Sequence, residues 1–295
     1  MFTIETQKLR LELEVVPVET LFIHERILPR IADKLTIEFK TMGHLENPVI
    51  VDQNGIVLDG NHRVYVFRGL DYKTIPVCRI DYFHRNTQLR YWFRLLSNVK
   101  DVTLIEGVVE ELGGRIQETT DRESLRRILE ENCYCCGIQQ ADFFASVHFS
   151  EDQVHDAVTA YDMLERIQDR LSEVGLEFDY IPCQHAQNEK FCELLKDHEI
   201  IIWTPQINKE MVVEAAKQKK VFAPKSTRHL IPARPLNVNV PTHWLRENIS
   251  LEEINNRFCQ FLEEKEIKRL SPGQVIDGRF YEEELFVFYD KKETP

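Results

Sequence analysis

Apolar and polar positions alternate along this chain in short blocks that predict strands and helices in turn. Leu9 to Val16 alternates apolar with polar residues, the pattern of a half-buried strand. Leu28 to Met42 places Ile31, Leu35, Phe39 and Met42 at helical spacing, and Gly43 follows as a stop. Pro48–Val51 and Gly55–Leu58 flank an Asp52-Gln-Asn-Gly55 turn and read as a hairpin. Asn61 to Arg68 predicts a helix ending at Gly69, Ile75–Ile80 a strand, and Thr87–Ser97 an aromatic-rich helix. Helices are then predicted over 121–131, 151–173, 187–197 and 208–219, with strands over 143–149, 176–181, 199–203 and 236–240. The clearest helix is Asp152–Ser172, where Val154, Val158, Tyr161, Leu164, Ile167 and Leu171 form one stripe. Ser250 with Glu253 opens a capped helix running to about Lys268, and a last strand covers Glu283–Tyr289.

This alternation predicts an α/β (α+β) fold in two domains, residues 1–100 and 101–295, the second carrying a C-terminal extension. The 295 residues carry a net charge of -12 and a pI near 5.4, which disfavours a general nucleic-acid coat. Met1–Glu14 is charged throughout and lacks a signal-peptide core, and no apolar run is long enough to span a bilayer. The seven cysteines are therefore expected to be reduced thiols in a cytoplasm. Cys133 and Cys136, with Cys183 and His185, could form a zinc site, but the second pair has an awkward bite; buried thiols are the expectation.

The segment Val57-Leu-Asp-Gly-Asn-His-Arg63 carries the strongest chemical signal. A strand ends at Asp59, Gly60 permits a tight turn, and a helix opens at Asn61, whose exposed amides suit a phosphate. His62 and Arg63 add donors, and Asp59 could hold Mg2+ against the phosphates. The same residues would also make an ordinary helix cap.

Residues from about Leu21 to Ile80 resemble the ParB/sulfiredoxin fold: a His-Glu pair, a helix, Pro48-Val-Ile-Val51, the Leu-Asp-Gly-x-His-Arg turn and an Ile-Pro-Val strand. Position 61 is Asn where sulfiredoxins resembling this chain carry their reactive Cys, and ParB proteins carry Gly-Glu-Arg-Arg and a basic helix-turn-helix. The free L-serine kinase family is the nearer likeness, with Asp-Gly-His-His-Arg at this turn; Asn61 departs from its first His. Pro224-Lys-Ser-Thr-Arg-His229, with Pro232-x-Arg-Pro235 and a Val-Asn-Val strand, resembles the same family's C-terminal signature.

The resemblance, over roughly residues 10–240, implies a kinase transferring the terminal phosphoryl group of ATP or ADP to the hydroxyl of free L-serine. It implies phosphate binding at Gly60, Asn61, His62 and Arg63, Mg2+ at Asp59, and serine held by Ser226, Thr227, Arg228 and His229. Arg228 would pair with the substrate carboxylate. Glu25 would be the base for the hydroxyl, where the residue alone reads as a solvated loop carboxylate. Trp92 would flank the serine pocket or stack on adenine, although aromatics at this spacing also suit a core. The residues leave open the donor, a threonine or homoserine acceptor, and the pathway, which could be cysteine or siderophore biosynthesis. The competing reading is a ParB-like nucleotide-binding regulator without small-molecule turnover.

Overall fold

The computed structural model describes residues 1–99, 101–183, 199–276 and 278–291. The chain forms two compact units. The first comprises Met1–Gln88, Ala216–Lys219 and the chain from His229 onward; the second comprises Leu89–Ala215 and Lys220–Arg228. The expected division at residue 100 is thus cut differently, because the C-terminal quarter packs with the N-terminal one.

In the first unit, β1 (Phe2–Glu5), β2 (Arg10–Pro17), α1 (Pro29–Met42), β3 (His44–Leu45), β4 (Val49–Val51), β5 (Val57–Asp59), α2 (Asn61–Gly69) and β6 (Thr74–Arg79) follow in order. Five strands pair as β1-β2-β6-β4-β5, antiparallel except for β4 against β6. Leu11, Leu13 and Val15 of β2 are buried, as the alternation predicted. Gly43 closes α1 in the left-handed conformation, at φ 71°.

The second unit starts within β7 (Gln88–Arg90) and continues through β8 (Trp92–Ser97), α3 (Thr103–Glu111), β9 (Arg115–Thr119), α4 (Arg122–Glu131), β10 (Cys136–Gln140), β11 (Phe143–His148), α5 (Ala157–Glu173), β12 (Glu177–Pro182), β13 (Ile200–Trp203) and α6 (Lys209–Lys217). Its sheet runs β12-β8-β13-β10-β11-β9. Thr87–Ser97, predicted as a helix, is strand instead: β8 pairs with β12 on one side and β13 on the other, and Phe93 and Leu96 are buried. Its Trp, Phe and Leu side chains suit a pleated surface as well as a helix face. The long helix begins at Ala157, later than the stripe suggested, because Asp156 and Thr159 close a capping box there. Val154 still reaches the core, packing with Ala160 and Met163 from outside the helix. The helix predicted over 187–197 lies outside the described residues.

The chain re-enters the first unit within β14 (Arg228–Leu230), then forms β15 (Ala233–Leu236), β16 (Val240–Pro241), α7 (Leu251–Glu263), β17 (Lys265–Leu270), β18 (Gln274–Ile276), β19 (Arg279–Tyr281) and β20 (Glu284–Asp290). The single strand expected over 236–240 is broken because Asn237 and Asn239 both take left-handed φ values of 56°. α7 starts at the Ser250 cap as predicted but ends at Glu263, short of Lys268. Lys265 onward is extended instead, pairing antiparallel with β20. β20 pairs in parallel with β15, giving the order β15-β20-β17. Among the described residues, no helix is long and apolar enough to cross a membrane.

Candidate phosphoryl-transfer site

β5 delivers Asp59 to the end of a strand, and the turn that follows depends on Gly60. Its φ is +109°, and a Cβ there would lie 2.9 Å from both Nε and Nη2 of Arg63. Glycine is thus favoured by the backbone conformation, and any larger residue would have to displace the Arg63 guanidinium. α2 then opens at Asn61 with no side chain capping it, so its first-turn amides present the positive end of the helix dipole.

The side chains behind the turn brace it. Asn61 Oδ1 accepts the His24 backbone N–H at 3.0 Å, tying the His24-Glu25 segment to the helix start. His62 Nε2 accepts the Leu28 N–H at 2.9 Å, which leaves the ring proton on Nδ1 in the neutral form. Arg63 Nη1 donates to the carbonyls of Asn47 at 2.5 Å and Pro48 at 3.1 Å, while Nη2 reaches Asp59 Oδ2 at 3.3 Å. Much of the Arg63 guanidinium therefore serves the turn itself.

Asp59 sits among positive charges. Arg234 Nη1 donates to Asp59 Oδ2 at 2.5 Å, and Arg234 Nε donates to Glu283 Oε1 at 2.8 Å. Burial works to raise the Asp59 pKa, but Arg234, Arg63 and Arg279 outweigh it and hold the carboxyl well below the usual range. Asp59 is thus ionised, with a third of its side chain exposed. A single anionic carboxylate suits Mg2+, which is usually held by one or two carboxylates together with substrate phosphates. Among the described residues no cluster of three His, Cys, Asp or Glu could hold a metal alone. Cys133, Cys136 and Cys183 assemble no such group, and His185 lies outside the described residues.

His24 is fully buried, and its Nδ1 bonds to the Val57 carbonyl at 2.6 Å. Burial lowers its pKa, against the opposing pull of the Glu25 carboxylate, so the ring is neutral near pH 7. Its edge meets the His229 ring, centroids 5.3 Å apart, and His229 Nε2 bonds to Tyr82 Oη at 2.7 Å. The first unit thus gathers His24, Glu25, the Asp59–Arg63 turn and His229.

The remaining predicted residues form a second group on the other unit. Trp92, half-buried at the start of β8, has Lys225 Nζ 5.1 Å and Arg228 Cζ 5.3 Å from its ring centre. Ser226 is buried and its Oγ donates to the Ala223 carbonyl, so it fixes its own loop. Tyr161 Oη donates to the Ser226 carbonyl at 3.1 Å. Thr227 is also buried. Buried Arg94 donates from Nη1 to the carbonyls of Trp92 at 2.5 Å and Lys225 at 3.0 Å. Arg94, Tyr82 and Glu283 escaped sequence reasoning. Arg234 lay within a recognised motif without a role, and nothing in the sequence near Glu283 marks it as its partner.

No protein-family model matches the chain. It is similar to the ATP-dependent L-serine kinase of Staphylothermus marinus, 25% identical over 242 residues, covering 79% of this chain and 90% of the relative. It is also similar to the ADP-dependent L-serine kinase SerK of Thermococcus kodakarensis, 23% identical over 186 residues, covering 63% and 71%. Among solved structures, a Glu-to-Ala variant of free serine kinase in complex with AMP superposes with a TM-score of 0.65 at 18% identity, over 83% of this chain and 97% of that one. The fold is that of the free serine kinases. On that serine-kinase fold, Asn61 occupies the turn without a thiol, and its side chain is given over to the His24 backbone.

Proposed function

We propose that this protein is a kinase that phosphorylates free L-serine, transferring the terminal phosphoryl group of a nucleotide to the serine hydroxyl. One observation carries the reading: an ionised Asp59 stands at the uncapped start of α2, on the same unit as the Glu25-His24 segment. The likeness to proteins named L-serine kinases supports it.

In this reading the nucleotide phosphates meet the amides of Asn61, His62 and Arg63. Mg2+, held by Asp59 and the phosphates, would neutralise charge on the transferred group. Glu25 orients the serine hydroxyl and takes its proton as the oxygen attacks the terminal phosphorus. An O–P bond forms there, the bond to the bridging oxygen breaks, and the products are O-phospho-L-serine and the shortened nucleotide. Neutral His24 keeps the Glu25 segment in place through Val57. Arg228, backed by the face of Trp92, grips the serine carboxylate, and Thr227 and His229 add hydrogen bonds. The reaction suits the cytoplasm, where serine and nucleotide meet.

The relatives divide between ATP and ADP, so the test uses both. Purified protein is incubated with L-serine, Mg2+ and each nucleotide, and phosphorus NMR follows the phosphoserine resonance. Phosphoserine with either donor is expected and identifies that donor. Nucleotide binding without product from serine, threonine or homoserine would overturn the kinase reading.

A further inference from the structure

The charge around Asp59 comes partly from beyond residues 10–240, the stretch on which the sequence likeness rests. Glu283 immediately precedes β20, whose parallel register sets Glu284 against Ala233 and Leu285 against Arg234. That register brings the Glu283 carboxylate to Arg234 Nε at 2.8 Å, while Nη1 of the same guanidinium reaches Asp59. Arg234 and Glu283 are 4% and 7% exposed. A guanidinium is a rigid planar fork, so fixing Nε on one carboxylate fixes the direction in which Nη1 points. This ion pair is one of several contacts that hold the segment. The strand ladder and the apolar cluster of Leu236, Tyr281, Leu285 and Val287 hold it too. The Glu283 carboxylate offsets the burial of the Arg234 charge and, by accepting from Nε, also orients that guanidinium.

We propose that Glu283 is a positioning residue for phosphoryl transfer: it holds Arg234 in the orientation that sets the Asp59 carboxylate, so the C-terminal segment completes the nucleotide half of the site. The proposal rests on the kinase reading above. Without the Glu283 charge, Arg234 pairs more strongly with Asp59 and competes there with the metal-bound nucleotide. Glu283→Gln keeps the volume and one acceptor and removes only the charge.

The expected result is a KM for the Mg-nucleotide raised about tenfold, roughly what one charge-assisted contact is worth, with the serine KM unchanged. In an Arg234→Gln background, Glu283→Gln should add nothing further, because the two act as one unit. Unchanged kinetics would overturn the proposal. So would a lower kcat with both KM values intact, since that marks a smaller folded fraction and a merely structural role. If Glu283→Gln is not recovered folded, Glu283→Asp carries the same test, with the nucleotide KM alone expected to rise. Should the wild-type protein make no phosphoserine, the kinase reading fails separately. Calorimetric affinity for Mg-ADP then tests the positioning claim, with the same tenfold loss expected and equal affinities overturning it.

Discussion

A methyl group on Gly60 would be strained by the positive φ and would have to push the Arg63 guanidinium aside. Gly60→Ala should cost about 1–2 kcal/mol from conformation alone, and should displace Arg63 from Asp59. A lower thermal midpoint together with weaker nucleotide binding would check this. Glu25→Gln separates chemistry from binding: kcat should fall by about 10²–10⁴, the usual worth of a positioned base, while the nucleotide KM stays put. Near-normal kcat in that variant would remove Glu25 from the mechanism. At this scale the sequence was informative where chemistry and backbone coincide. Asp59 and Gly60 announce themselves because a strand, a turn and a helix meet there. Arg94 and Glu283 do not, because their value comes from partners far along the chain, and a charged residue reads as surface until its partner is known.

Among elements, α7 does for β2 what a neighbouring strand would otherwise do. β1 pairs with β2 only as far as Leu13. Beyond it, Asn255 Oδ1 accepts from Val15 N at 2.9 Å and Nδ2 donates to the Val15 carbonyl at 2.8 Å. Asn255→Ala leaves both backbone groups without that partner and should destabilise the fold by about 1–3 kcal/mol, measured as a lower urea midpoint. Most elements of the first unit's N-terminal half were legible because their periodicity is local and their stops are Gly or Pro. The errors have local causes too. β8 is buried on both faces, so it lacks the alternation that separates strand from helix. The strand after β15 was read through Asn237 and Asn239, whose left-handed turns carry no hydrophobic signal.

At the scale of the whole molecule, acid should unfold the protein in stages. The buried His24 has a pKa below its ordinary 6.5, so the unfolded chain takes up that proton first. Its contribution is complete above the ordinary value and is lost as pH falls through the lower folded one. Asp156 follows. Partial burial opposes its charge, but Lys220 and the Thr159 bonds lower its pKa to about 2. Its contribution is complete above the unfolded value of 3.8 and is lost as pH falls towards about 2. Asp156→Asn keeps an acceptor at the cap and should flatten this second limb. Urea midpoints measured across the acid range would show a shallower decline in the variant, and an unchanged slope would refute the assignment. The division into units was the least legible feature of all. It depends on pairing between residues more than two hundred positions apart, such as Asn255 with Val15, and no local pattern reports such a meeting.

The parallel pairing of β20 with β15 also sets an order of events on the ribosome. The second unit is contiguous except for a short return, and its sheet is complete once β13 has been made. The first unit must wait. Its N-terminal strands and the Asp59 turn are synthesised early, but the carboxylate that steadies Arg234 emerges more than two hundred residues later. A chain that stops before β20 therefore carries the Asp59 turn and Arg234 without the Glu283 carboxylate that pairs with that guanidinium.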